Sequence, residues 1–130
     1  MSHITKIKAQ IKDLDALADG CFHLGMEVDL TAKRFRNFAG RMSECNGALR
    51  IKGNNTAYEM GLVKNKAGHF DLEWDDYGGG KGLVNVVGKN AGLLLQEYSA
   101  AVAIRAMSRQ GMRVRRTVGA GGKVILTGEA

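Results

Sequence analysis

Eighteen glycines and nineteen Lys/Arg residues in 130 positions raise one question of chemistry first: does this chain cradle a phosphate? The densest glycine run is Gly78-Gly79-Gly80-Lys81-Gly82, and a second Gly-Lys pair follows at Gly88-Lys89. A P-loop needs a glycine, four residues, then Gly-Lys-Ser/Thr, so that backbone N–H groups wrap the phosphates and the hydroxyl meets magnesium. Gly82 and Gly88 are separated by five residues, and Lys89 is followed by Asn90. Gly80-Lys81 has Asp75 where the first glycine belongs. Both fail. What remains is a looser anion site, Gly80 and Lys81 ahead of a helix, with a mobile loop as the plain alternative.

The second candidate is a basic strand near the end. Arg113 and Arg115 share a face with Thr117, while Met112, Val114, Arg116 and Val118 share the other. Arg116 interrupts the apolar face, so it must be paired, at a strand end or on a bulge. With Arg105, Arg109 and Lys123 this strand would present a positive surface to nucleic acid or another acidic partner. Aromatics are only 6% of the chain and none is interleaved with these arginines, which weakens base stacking. Lys6 and Lys8 add charge on an early strand. The anion-binding set read from sequence is therefore Lys6, Lys8, Gly80, Lys81, Arg113 and Arg115.

Asp71, Glu73 and Asp75 alternate along one strand, with Trp74 facing away. A carboxylate row without a facing base is a solvated face, an edge protector or a docking surface for a basic partner. Cys21 and His23 lie two apart, about 200° around a helix, and cannot readily share a metal. No nucleophile–base pair can be picked out, so no catalytic residue, metal or cofactor is assigned.

These groups need elements to hold them. His3 to Lys12 alternates as a half-buried strand, with His3, Thr5, Ile7, Ala9 and Ile11 on one face. Asp13 is placed to cap a helix whose stripe reads Leu14, Leu17, Cys21 and Leu24, joined by Ala18 and Phe22, and which Gly25 ends. Met26 to Leu30 reads as a strand or connector, Arg34 to Met42 as a possible strand, Ser43 to Gly47 as a turn, and Ala48 to Lys52 as a strand. Tyr58, Met60 and Leu62 then pair, through Asn65-Lys66-Ala67-Gly68, with Phe70, Leu72 and Trp74 in a hairpin. One long helix is expected from about Asn85–Lys89 to Gln110, and two strands follow Gly111.

The order suits an α+β two-layer sandwich, with a mostly antiparallel sheet, two main helices and a ferredoxin-like variant as the expected topology. A single domain spanning 1–130 is expected. Charge is uneven: nine basic against six acidic residues over 1–58, two against five over 59–80, and eight against two over 81–130, for the net +6. Two cysteines make no disulfide framework, and no apolar run is long enough for a membrane span, so a cytoplasmic protein is the expectation.

Several stretches resemble the family called hypothetical chloroplast open reading frame thirty-five. The start, Met1-Ser2-His3-Ile4 with Ile7-Lys8 and Ile11-Lys12-Asp13-Leu14-Asp15-Ala16-Leu17, looks like its opening. Tyr58-Glu59-Met60-Gly61 is similar to its mid-chain strand, and Leu95 to Ala100 with Ser108 to Met112 to its late helix. The chain departs from the pattern at Glu97, Ser99, the glycine-rich loop and the final segment. The resemblance implies a small α+β protein, no known activity and no catalytic residues. Through genomic neighbours, an AAA-type ATPase or a ferredoxin, it implies a protein partner such as the ATPase. The expected function is thus a non-enzymatic binding or regulatory protein, self-associating or not, with Asp71, Glu73 and Asp75 as one contact surface. The alternative is a binder of nucleotide, cyclic nucleotide or RNA.

Overall fold

A computed structural model describes residues 4–130; His3 lies outside the described residues. Strand β1 (Ile4–Ile11) alternates as its sequence demands, with Ile4, Lys6, Lys8 and Gln10 exposed and Ile11 fully buried. Gln10 sits at φ 52 where the register slips between Ile7 and Ile11, so the strand ends on a bulge. Helix α1 (Leu14–His23) starts where Asp13 accepts the Ala16 N–H at 3.0 Å. Its buried residues are Ala16, Leu17, Gly20 and Cys21. Ala18 and Phe22, expected on that stripe, face outward instead. The buried stripe faces the sheet and the last long helix, and Ala18 and Phe22 fall outside it.

The sheet contains β2 (Met26–Asp29), β5 (Ala48–Ile51), β6 (Met60–Lys64) and β7 (Phe70–Asp75), in the order β1-β7-β6-β5-β2. Every neighbouring pair is antiparallel. The α+β reading and the β6–β7 hairpin hold. The ferredoxin-like variant does not: α1 carries the chain from β1 at one edge to β2 at the other, and β5, β6 and β7 fill the interval as a meander.

One sheet face is apolar. Met26, Leu49, Met60, Leu62, Leu72 and Trp74 join Leu17 and Cys21 of α1 in the core cluster. Leu83, Val87 and Leu94 complete it from the later helices. The expected long helix is two: α2 (Leu83–Val87) and α3 (Gly92–Arg109). Between them Gly88 adopts φ 82, and Asn90 and Ala91 are left-handed at φ 54 and 60. Local dihedral cost is offset there by burial, since Val87 and Ala91 are both fully inside.

The glycine-rich run before α2 forms a left-handed turn. Gly78, Gly79, Gly80, Lys81 and Gly82 have φ 59, 73, 64, 53 and 105 in succession. Only glycine takes this conformation without steric cost, which accounts for four of the five residues. Gly80 is buried and its carbonyl accepts the Tyr58 N–H at 2.9 Å, so the turn is fastened to the chain entering β6.

The other sheet face carries a strap. Arg34 to Met42 is not one strand but most of a small hairpin, β3 (Arg34–Arg36) with β4 (Met42–Glu44). Ser43 and Glu44, expected in a turn, belong to β4. The Phe35 ring lies against Gly61, where a Cβ would overlap it. Two buried carboxylates hold the strap by its backbone: Glu59 accepts the Arg36 N–H at 2.7 Å, and Asp75 accepts the Phe38 N–H at 3.2 Å. Arg50 joins the same face, with Nε 2.9 Å from Glu59 and an amino nitrogen 3.2 Å from Asp29. The chain ends in a separate two-stranded sheet, β8 (Arg113–Val118) with β9 (Val124–Glu129), packed on α3.

Candidate functional site

The most chemically varied cavity lies where α1, α3 and β8 converge. It has a volume of about 200 Å³ and is lined by Asp19, Phe22 and His23 of α1, Glu97, Ala101 and Ile104 of α3, and Arg116 of β8. Gly20 sets the approach of the two helices: a Cβ there would stand 3.0 Å from the Tyr98 nitrogen and 3.1 Å from the Glu97 carbonyl carbon. Tyr98 completes the contact from α3. Its hydroxyl oxygen accepts the backbone N–H groups of Lys12 and Asp13 at 3.0 and 3.2 Å, which ties the start of α1 to α3.

Two ion pairs border the cavity. Arg105 Nε meets Asp19 at 2.9 Å, and Arg116 meets Glu97 Oε2 at 2.7 Å. In both pairs the hydrogen bond that the guanidinium donates to its carboxylate partner raises the pKa of the guanidinium. The pairs differ in setting. Asp19 is half exposed, whereas Glu97 is only 6% exposed. Glu97 Oε1 is buried and meets no hydrogen-bond donor among the described residues. Phe22 lines the same cavity at 79% exposure, the most exposed large hydrophobic described. Its ring meets the His23 ring edge-on at 6.2 Å.

The larger depression, of about 720 Å³, lies at the base of the strap between the Leu30–Arg34 segment and Glu44 to Asn46. Cys45 is there, with its thiol 3.8 Å from the Ala32 carbonyl oxygen, and burial pushes that thiol up. The depression is open and gathers no opposing charges deep enough to orient a ligand. The smaller helical cavity is therefore the better candidate.

The residues expected from sequence do not form one site. Lys6 and Lys8 are exposed on the edge strand, and Lys6 stands opposite Glu73 in the ladder. Lys81 is exposed in the left-handed turn, but Gly80 is buried there with its carbonyl already engaged. Arg113 and Arg115 project from the separate β8–β9 sheet as their alternation requires, and Arg115 is 2.8 Å from Glu129. The acidic row needs correction. Asp75 is fully buried and accepts N–H groups from Phe38 and Tyr77, the latter at 3.0 Å. It is a fastener of the strap, not a docking residue. Asp71 and Glu73 are half-buried, and Asp71 accepts the Asn65 side-chain amide at 3.2 Å. Alternation put all three on one face, but the strap covers part of that face.

Arg116 resolves as a paired cation. Its partner Glu97 was missed, although the signal is present: Leu94, Glu97 and Ala101 follow helical spacing, so a carboxylate lies on the buried stripe. Two opposite charges out of place on apolar faces are candidates to meet. Among the described residues no three His, Cys, Asp or Glu side chains are grouped as a metal would require, and no helix is long and apolar enough to cross a membrane. No family model, no curated protein and no solved structure matches the chain.

Proposed function

We propose that this chain is a non-enzymatic binding module that acts on a protein partner, and that it meets the partner at the junction of α1, α3 and β8. One observation carries the reading: Phe22, 79% exposed, lines a cavity together with Ala101, Ile104 and members of two ion pairs. Exposed aromatics beside apolar pockets are where protein interfaces concentrate their binding energy. Fixed ion pairs around them supply polar complementarity without new ordering cost. The resemblance described above points to an AAA-type ATPase as the partner class. The acidic strand face offers a poorer contact, because Asp75 is fully buried.

The experiment is affinity capture with the wild-type chain and with Phe22→Ser, read by mass spectrometry and by nucleic-acid staining. The expected result is a partner retained by wild type and lost by Phe22→Ser, with no nucleic acid recovered. Recovery of nucleic acid that survives Phe22→Ser and disappears on Arg113→Ala with Arg115→Ala would replace this reading with the anion-binding one. Equal recovery of the same protein by both baits removes this surface from the function.

A further inference from the structure

Strand β1 has a neighbour on one side only. It ends the five-stranded sheet with β7 along one flank, and among the described residues no strand pairs with the other. β7 is also the one element it packs against extensively. An edge strand of eight residues leaves alternate backbone N–H and C=O groups without a ladder partner. Among the described residues no loop takes up those groups between Ile4 and Ala9. Gln10, at φ 52, ends the regular part, so Ile4 to Ala9 is the open template. The opposite edge differs. β2 has four residues, and its Glu27 and Asp29 carboxylates already face Arg50 at 3.8 and 3.2 Å.

The two faces of β1 say what chemistry fits this template. On the outer face Lys6 and Lys8 are exposed, and among the described residues neither takes part in a salt bridge. Side chains directly opposite on an added strand stand about 5 Å away, so two carboxylates two residues apart would meet both lysines. On the core face Ile7 and Ala9 pack against the core cluster yet remain only half-buried. An added strand with apolar residues on that face would cover them. A second copy of the chain is a poor occupant. Antiparallel pairing of β1 with itself about a two-fold axis at Lys6, Ile7 or Lys8 sets Lys6 against Lys6, Lys6 against Lys8, or Lys8 against Lys8. Lysines on an edge bar unwanted strands, and here they bar the copy while favouring a strand that brings carboxylates.

We infer that the free edge of β1 takes an extended acidic segment of a partner protein as an added strand of the sheet, with alternate carboxylates against Lys6 and Lys8 and the intervening apolar side chains beside Ile7 and Ala9. Main-chain hydrogen bonds supply the affinity in this mode, and the alternating side chains choose the segment. An acidic stretch with apolar residues at every second position, drawn from a chain that is disordered when free, has the required chemistry. This contact goes beyond the binding role proposed above and does not depend on Phe22, which lies on α1.

The test uses three labelled hexapeptides with the intact chain: Glu-Val-Glu-Val-Glu-Val, its block-shuffled form Glu-Glu-Glu-Val-Val-Val, and Lys-Val-Lys-Val-Lys-Val. Binding is read by fluorescence anisotropy, and its place by amide hydrogen exchange. The alternating acidic peptide should bind, and the lysine peptide should bind at least about tenfold more weakly, since two cross-strand charge pairs change sign. The shuffled peptide should also bind more weakly. Exchange should slow at alternate amides between Ile4 and Ala9, those that point away from β7. Lys6→Glu with Lys8→Glu should reverse the preference between the acidic and lysine peptides. If that variant does not fold, the wild-type peptide series still decides. Equal binding of the three peptides, or protection that falls on His23 and Ile104 instead of β1, overturns the inference. So does tighter binding of a single-stranded oligonucleotide at the same amides, which assigns the edge to nucleic acid. Sedimentation that shows a dimer of the wild type, dissociated by Lys6→Glu with Lys8→Glu, overturns it in favour of a second copy.

Discussion

Arg116 and Glu97 meet at 2.7 Å across the seam between the C-terminal hairpin and α3, and only the guanidinium end of that pair reaches solvent to any extent. Removing one member therefore has a different consequence from removing both. Arg116→Ala leaves a buried carboxylate without its counter-charge, and a loss of about 3 kcal/mol or more is expected in urea denaturation. Replacing the pair by Glu97→Leu with Arg116→Met keeps volume and removes both desolvation costs. That double variant should lie within about 1 kcal/mol of wild type, or above it.

Gly20→Ala tests whether helix propensity or helix packing governs the middle of α1. Propensity alone predicts a gain of about 1 kcal/mol. The new methyl would sit 3.0 Å from the Tyr98 nitrogen and 3.1 Å from the Glu97 carbonyl carbon, both backbone atoms that cannot rotate away. A net loss of about 1–3 kcal/mol is expected, the range for overpacking. A variant as stable as wild type would show that α1 and α3 can separate at little cost.

Asp75→Ala distinguishes a buried fastener from an exposed acidic patch. Surface substitutions usually change stability by less than about 0.5 kcal/mol. Asp75 instead takes the N–H groups of Phe38 and Tyr77, and hydrogen bonds to a charged acceptor contribute about 1.5–3 kcal/mol. The variant should lose stability in that range, and the strap should become sensitive to trypsin at Arg41. Unchanged proteolysis would mean that Phe35 and Glu59 alone hold the strap.

The two cysteines should respond differently to alkylation and to pH. Cys21 is buried in the core, and desolvation pushes its thiol from 9.0 up to about 12. Iodoacetamide at neutral pH should label the half-buried Cys45 and leave Cys21 until the protein unfolds. The sign of the stability effect follows from proton counting. Between about pH 9 and pH 12 the unfolded chain has lost the Cys21 proton and the folded chain keeps it. Stability should therefore fall with rising pH across that window, by at most about 1.4 kcal/mol per unit. In Cys21→Ala this contribution should disappear from the profile.

Several elements were legible from residue order because their causes are local. Asp13 caps α1 because a short carboxylate before a helical run can reach a free N–H. The β6–β7 hairpin forms because period-two apolar residues flank a turn-prone tetrapeptide. The alternation in β8 was enough to show that Arg116 stands on the wrong face and needs a partner. Other features depended on what lies across from a residue, and no local pattern carries that. Alternation told which face Asp75 occupies, but the strap that covers that face arrives from 37 residues earlier at Phe38. Helical periodicity ran through Gly88 to Ala91, yet burial of Val87 and Ala91 outweighs the cost of breaking the helix there. The same distinction governs the candidate site. The charges of Glu97 and Arg116 are written in the chain, but their meeting, the lone oxygen left over and the exposed Phe22 on the same cavity exist only because α1, α3 and β8 pack at one place. Periodicity assigns a face to each side chain, and long-range packing alone assigns a neighbour to each face.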